Sequence, residues 1–141
     1  MDDSRPTAIV YIDGYNWYHA IFKHHPEFKW LNIQTLFEVL RPDENIQEIK
    51  FFSAIVDEKN LNSDARHRHL TYISALKTLP KVKVILGKFQ DREVTCRAQC
   101  KLKYIVPEEK KTDVNIAVEI LSDAFKNSSD STVVVSGDSD A

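Results

Sequence analysis

The sequence predicts an α/β fold with a mainly parallel sheet. Short apolar runs rich in β-branched and aromatic residues alternate along the chain with segments of helical periodicity. Such alternation is typical of parallel strands joined by helical crossovers. In the first of these runs, Thr7–Ile12, apolar and polar residues do not alternate cleanly, which indicates a strand that is buried on both faces. Because 141 residues fit one domain, we expect residues 1–141 to form a single unit.

The first elements are predicted in the order strand, helix, helix. Thr7–Ile12 is an apolar strand that ends at Asp13-Gly14, and Asn16–His24 is predicted to be a short helix. Asn32 is the predicted N-cap of a second helix. The apolar face of that helix consists of Ile33, Leu36, Phe37 and Leu40.

The middle of the chain predicts a further strand, helix and strand. Glu48–Val56 is the second strand candidate, and Ser63 is predicted to cap a helix that runs to Leu76. The third strand covers Val82–Leu86 and ends at Gly87. We expect the basic stretch Lys88–Pro107 to be irregular.

The most regular helix of the chain is predicted to begin at Thr112. Its apolar side chains recur at helical spacing and are Val114, Ala117, Val118, Leu121 and Phe125. We therefore expect Val114 and Ala117 to face the core. Thr132–Val135 is the last predicted strand, and it runs directly into Ser136-Gly137-Asp138.

Basic side chains are concentrated in one part of the sequence. Residues 77–111 contain ten Lys or Arg and four Asp or Glu, whereas the rest of the chain has nine basic and seventeen acidic residues. Such a segment could meet phosphates, or it could be a solvated loop or hairpin. Charge alone does not choose between these two interpretations.

The sequence contains no sign of a membrane or secretory protein. No apolar run approaches the roughly 20 residues that a membrane-spanning helix needs, and the polar stretch Met1–Pro6 is unlike a signal peptide. We therefore expect a cytosolic, cytoplasmic protein. Cys96 and Cys100 are expected to be buried or redox-reactive thiols, because a zinc site needs about four ligands and no histidine is close in sequence.

Acidic residues follow two of the predicted strands. Asp13 ends the first strand, and Asp138 and Asp140 follow the last one. The carboxyl ends of parallel strands form the usual ligand-binding edge of such a sheet. Asp113, in the first turn of the regular helix, is the third contributor. Clustered carboxylates require a cation, and oxygen ligands favour Mg²⁺ or Mn²⁺ over Zn²⁺.

Each of these aspartates also has an ordinary structural explanation. Asp13-Gly14 is a common turn after a strand, and Asp113 is a typical acid at the start of a helix. Asp138 and Asp140 could cap a following helix. It is their combination that indicates an active site.

Three strings of the sequence resemble the motifs of the NYN domains, a branch of the PIN-like ribonucleases. They are IDGYN, KKTDVNIAVEIL and VVVSGDSD, and the resemblance extends from Thr7 to Ala141. It implies a Rossmann-like three-layer fold, divalent-metal binding by aspartates and hydrolysis of RNA. The family domain continues after SGDSD with a helix and usually a strand, which we expect to be absent from residues 1–141.

The resemblance also implies roles for individual residues. Asp13, Asp113, Asp138 and Asp140 match the metal-binding and catalytic acids. Asn16 matches the polar residue after the first strand, and Ser136 matches a supporting hydroxyl.

A metal-dependent ribonuclease is therefore the function that the sequence predicts. We expect the RNA-binding face to include the basic residues Arg97, Lys101, Lys103, Lys110 and Lys111. One alternative is a non-catalytic RNA-binding or protein-interaction module with the same fold. A small-molecule phosphohydrolase is a third reading, but it often carries an acid two residues after a nucleophilic aspartate, and here Tyr15 follows Asp13. A homo-oligomer is compatible with all three.

Side chains near the motifs have two interpretations. Tyr15, Trp17 and Tyr18 could stack on bases, although we expect at least one of them to belong to the core. His67 and His69 are expected on a solvated helix face, beside Arg66 and Arg68.

Overall fold

The computed structural model describes residues 3–55, 63–110 and 112–137. The strands are β1 (Thr7–Asp13), β2 (Asn45–Ile55), β3 (Val82–Thr95), β4 (Lys103–Lys110) and β5 (Ser131–Val135). The helices are α1 (Gly14–Trp17), α2 (Ile33–Leu40), α3 (Ser63–Leu76) and α4 (Thr112–Phe125). A π-helical turn, Tyr18–Phe22, continues α1, and a 3₁₀ turn follows at Pro26–Phe28.

The five strands form one sheet in the order β4-β3-β2-β1-β5. The strands β5, β1, β2 and β3 are parallel, and β4 pairs antiparallel with β3. This arrangement confirms the predicted α/β fold with a mainly parallel sheet. None of the helices in the described ranges is long and apolar enough to span a membrane.

Both faces of β1 are buried, as its continuous apolar sequence predicts. Ala8, Val10 and Ile12 belong to a large core cluster that also contains side chains from α2 and α3. Ile9 and Tyr11 point to the opposite face, where they pack with Ile116 of α4. Because successive strand residues alternate between faces, the sheet is the middle layer of three.

Several predicted boundaries are confirmed. The side chain of Asn32 accepts a hydrogen bond from the Thr35 amide at 3.1 Å, so it caps α2 as expected. The bounds of α3 and α4 also agree with the prediction. The second strand begins three residues earlier than predicted, at Asn45, and Val56 lies outside the described residues.

The orientation predicted for α4 is wrong. Val114 is 55% exposed and Phe125 is 93% exposed, and Ala117 is exposed as well. The helix packs on the sheet with Ile116 and Ile120 instead. Two rows of apolar side chains therefore run along α4. The shorter row, with Ile116 and Ile120, packs on the sheet, and the longer predicted row does not.

A buried lysine fixes α4 to the sheet. Lys50 of β2 is 4% exposed, and its Nζ donates to Asp123 Oδ2 at 2.6 Å and to Glu119 Oε2 at 2.7 Å. The Tyr11 hydroxyl also donates to Asp123 Oδ2, at 2.6 Å. A buried charged residue needs such partners. A lysine inside the apolar run EIKFFSAIV is therefore a sequence feature from which a buried ion pair could have been expected.

The stretch predicted to be irregular is a β-hairpin. β3 continues past Gly87 to Thr95, and β4 returns from Lys103 to Lys110. Pairing with β2 stops at Lys88, so the later part of the hairpin extends beyond the carboxyl edge of the sheet. We call residues 89–109 the arm. Seven strand residues at about 3.3 Å each make it about 20 Å long.

Candidate functional site

Asp13 is held at the end of β1 by the turn that follows it. Its Oδ1 accepts hydrogen bonds from the backbone amides of Tyr15 at 3.1 Å and Asn16 at 3.3 Å, so it is the N-cap of α1. Its Oδ2 accepts from the Asn16 side-chain amide at 2.9 Å. Three donors therefore fix the orientation of this half-buried carboxylate.

Asn16 connects the ends of two neighbouring strands. Its Nδ2 lies 2.9 Å from Asp13 Oδ2 and 3.2 Å from the Ser136 hydroxyl oxygen, just after β5. The strands β1 and β5 are parallel partners as far as Ile12 and Val135, so their carboxyl ends meet at one edge. Of the residues predicted from sequence, Asp13, Asn16 and Ser136 are thus brought together here.

The other predicted acids are related to this cluster in different ways. Asp138 and Asp140 lie outside the described residues. Asp113 is exposed in the first turn of α4. Asp13 shares a face of β1 with Ile9 and Tyr11, the face on which α4 packs, and α4 leads back to the start of β5. The first turn of α4 therefore points towards the carboxyl edge that carries Asp13.

The oxygen atoms at this edge are of the chemical type that binds a hard cation. They are carboxylate, amide and hydroxyl oxygens, the ligands that Mg²⁺ and Mn²⁺ prefer. Within residues 3–55, 63–110 and 112–137, no three His, Cys, Asp or Glu side chains converge on one point.

The predicted RNA-binding residues lie on or beside the arm. Arg97 and Lys101 are exposed in the turn between β3 and β4, and the exposed Lys103 lies 3.4 Å from Glu93. Lys110 is the last residue of β4, whereas Lys111 lies outside the described residues. Since β3 is parallel to β1, the arm extends from the same edge that carries Asp13.

The aromatic residues after Asp13 have separate environments. Trp17 is buried in the core, which confirms that at least one of the three packs there. Tyr15 and Tyr18 are about half exposed.

The expectation of a solvated helix face is wrong for His69. His67 is exposed, but His69 Nε2 lies 3.2 Å from the hydroxyl of the buried Ser53. Burial lowers the pKa of His69. These partners are sixteen positions apart in the sequence, so no local spacing could reveal the contact.

The cysteines lie in the turn of the arm. Cys96 is half buried and Cys100 is exposed, and both are free thiols. Hydrogen bonds from the Leu102 backbone and the Cys96 side chain lower the pKa of Cys100, which favours the thiolate. The prediction of a buried thiol does not hold for Cys100, and that of a reactive one remains a prediction.

Comparison with known proteins identifies the family of this chain. A similar protein is 6-hydroxy-3-succinoylpyridine 3-monooxygenase HspA of Pseudomonas putida, 29% identical over 170 aligned residues. The alignment covers 98% of this chain but 54% of that protein, so the chain spans about half the length of this relative. No solved structure matches significantly. The model of the NYN domain matches residues 7–140. The chain therefore belongs to the NYN domain family, a PIN-like nuclease family.

Proposed function

We propose that this domain is a Mg²⁺- or Mn²⁺-dependent ribonuclease whose acidic residues are Asp13, Asp113, Asp138 and Asp140. The observation that carries the proposal is the Asp13–Asn16–Ser136 cluster at the shared carboxyl edge of β1 and β5. Ligands bind at this edge in open α/β sheets, and family membership makes RNA the expected substrate.

The residues of the cluster have distinct parts in the proposed reaction. Asn16 and the two backbone amides hold Asp13 in one orientation, and Ser136 holds Asn16 from the neighbouring strand. A bound divalent cation would neutralise the scissile phosphate and assist the attack of water. Preorganised ligands lower the cost of bringing these groups together.

Asp138 follows Gly137 directly in the sequence and Asp140 comes two residues later. A Cβ atom at Gly137 would lie 3.9 Å from Asn16 Cβ. Gly137 therefore lies close to Asn16 of the cluster. We therefore expect the next acids to complete the ligand set from the β5 side, while Asp113 contributes from α4.

A metal-binding and cleavage experiment tests the proposal. Mn²⁺ should raise the melting temperature through preferential binding to the folded state, and it should support cleavage of a mixed-sequence RNA that EDTA abolishes. Asp13→Asn should lose both effects yet fold, because asparagine is also a good N-cap. Without metal its stability should equal or exceed that of the wild type, since one repelling carboxylate is gone.

A matched control is Asp43→Asn, because Asp43 is an exposed acid that precedes β2 and lies at the amino edge of the sheet. This variant should keep the metal-induced shift and the cleavage. RNA binding without cleavage in any divalent metal would favour the alternative of a non-catalytic RNA-binding module. Unfolding of Asp13→Asn in the absence of metal would show that Asp13 has a structural role only.

A further inference from the structure

A small aromatic cleft lies on the face of the sheet opposite α4. It is formed by the π-helical turn, the segment after the 3₁₀ turn, and α3. Its aromatic walls are Tyr18, Phe22, Trp30 and Tyr72. Its volume is about 130 Å³, below the roughly 300 Å³ at which sites for whole drug-sized ligands begin. The cleft therefore suits a single ring system.

The aromatic walls are held rigidly on the inside and are open on the outside. Tyr72 packs edge-on against Phe22 with ring centroids 5.6 Å apart, and its hydroxyl donates to the Leu31 carbonyl at 3.3 Å. Burial raises the pKa of Tyr72 to about 12, so it remains a neutral phenol. Trp30 lies 6.1 Å from Tyr72 and is 60% exposed, and Tyr18 is 47% exposed. Two aromatic side chains of the cleft thus have exposed surface that a ligand can contact.

The rim of the cleft is positively charged. Lys29 and Arg68 line it, are exposed, and form no ion pair with any residue in the described ranges. His69 also lines the cleft, but its lowered pKa keeps it neutral at pH 7. No carboxylate is among the described residues that line it. The complementary ligand is a flat ring attached to negative charge.

Two of the segments that form the cleft begin near the carboxyl edge of the sheet. Tyr18 follows Asn16 by two residues in the same helical segment that Asp13 caps. Arg68 lies in the second turn of α3, the helix that follows the carboxyl end of β2. Both sides of the cleft therefore approach the edge where the acidic cluster lies.

We propose that this cleft binds an unpaired base of the RNA substrate, with Lys29 and Arg68 holding the adjacent phosphates. The proposal rests on the ribonuclease function proposed above and specifies its substrate as single-stranded, because a base within a duplex is stacked and cannot enter a pocket. Stacking on aromatic side chains is the usual source of affinity for single strands.

Binding measured without metal tests the stacking. Anisotropy of a fluorescein-labelled 12-nucleotide RNA of mixed sequence is recorded in EDTA, so cleavage cannot contribute. Trp30→Ala should weaken binding about tenfold, the usual scale for loss of one stacked base, and Trp30→Phe should retain most of the affinity. The control Phe125→Ala removes a 93% exposed aromatic side chain on the opposite face and should change nothing. An abasic oligomer should bind wild type and Trp30→Ala equally.

A second measurement tests the charges. Arg68→Gln should lower the slope of log affinity against log salt by about 0.7, the value for one phosphate contact to a single strand. Lys77→Gln, just past the other end of α3, should leave the slope unchanged. Unchanged affinity in Trp30→Ala overturns the proposal, as does binding of an aromatic acid such as nicotinate without binding of RNA. Base-dependent binding without cleavage in any metal would overturn the ribonuclease function and leave the base-binding cleft standing.

Discussion

Gly14 marks the closest packing at the scale of single residues. A Cβ at this position would lie 2.5 Å from the Phe52 carbonyl oxygen and 2.9 Å from the Phe51 ring. Neither neighbour can move freely, because both belong to the buried strand β2. Only glycine therefore allows the turn after β1 to lie directly against the end of β2, where it positions Asp13 and Asn16.

Gly14→Ala should consequently destabilise the domain. The extra methyl group must displace backbone or a packed ring, and overpacking of this kind costs about 1–3 kcal/mol. Urea denaturation without metal measures the effect. Gly137→Ala is the matched control, because its nearest contact would be an ordinary 3.9 Å and neither glycine has a positive φ. Equal stability of the two variants would contradict the close packing at Gly14.

Asp13 shows why the identity of a site residue is hard to assign from sequence. An aspartate is expected at position 13 both in an ordinary turn after a strand and in a metal-binding site. In the structure Asp13 caps α1, and its carboxylate lies at the edge of the sheet. The pattern Asp-Gly-x-Asn was sufficient to predict that Asp13 and Asn16 lie at the end of the first strand. It could not predict the hydrogen bond from Asn16 to Ser136, because those residues are 120 positions apart.

At the scale of elements, the position of α4 depends on polar contacts as well as apolar ones. Burial alone would raise the pKa of Asp123, but hydrogen bonds from Lys50 and Tyr11 outweigh it and lower the pKa. A carboxylate with a lowered pKa in the folded state stabilises the fold above its unfolded pKa. That contribution is lost as the pH falls through the folded value.

Asp123→Asn should therefore flatten the acid end of the stability profile. The free energy of unfolding of the wild type should fall from pH 6 towards pH 3, whereas the variant should be less stable at pH 6 and change less. Urea titrations at several pH values provide the measurement. Glu38→Gln is the control, because it removes an exposed ion pair with Lys81, a contact that contributes little. Parallel profiles for wild type and Asp123→Asn would contradict the role of this network.

The same helix shows the limit of periodicity. Spacing correctly predicted where α4 begins and ends, and it found an apolar row. It could not predict which of the two apolar rows packs on the sheet. Both rows have the same helical spacing, and they differ only in their tertiary contacts. Lys50 selects the row, because only one rotation of α4 brings Glu119 and Asp123 to its ammonium group.

At the scale of the whole molecule, the arm carries exposed basic side chains past the edge of the sheet where Asp13 lies. Asp13 lies at the carboxyl edge of the sheet, and the arm extends about 20 Å from that edge. A polyanion could contact the exposed Arg97 and Lys101 in the turn of the arm and reach Asp13 at the same time.

We expect Lys110→Ala combined with Lys111→Ala to weaken RNA binding at all sequences alike. Two lost phosphate contacts should reduce the salt slope by about 1.4 for a single strand, while the Mn²⁺-induced melting shift remains. Affinity measured between 50 and 300 mM salt provides the test. The control is the double variant Lys77→Ala, Lys126→Ala, which removes two exposed lysines near the amino edge of the sheet. It should leave the salt slope unchanged. An unchanged slope in the first variant would show that its lysines only balance nearby acids.

The sequence by itself determined the order of strands and helices, the parallel sheet and the family. These features depend on local periodicity, capping residues and short motifs, all of which are written in contiguous stretches. The β-hairpin was missed because its first strand continues from Gly87 through the polar stretch Gln90–Glu93, which lacks the apolar periodicity of a predicted strand. Tertiary structure alone decided how α4 is rotated and which residues form the aromatic cleft. Contacts such as Trp30 with Tyr72 and Lys50 with Asp123 join distant positions, and they become visible only when the sheet brings them together.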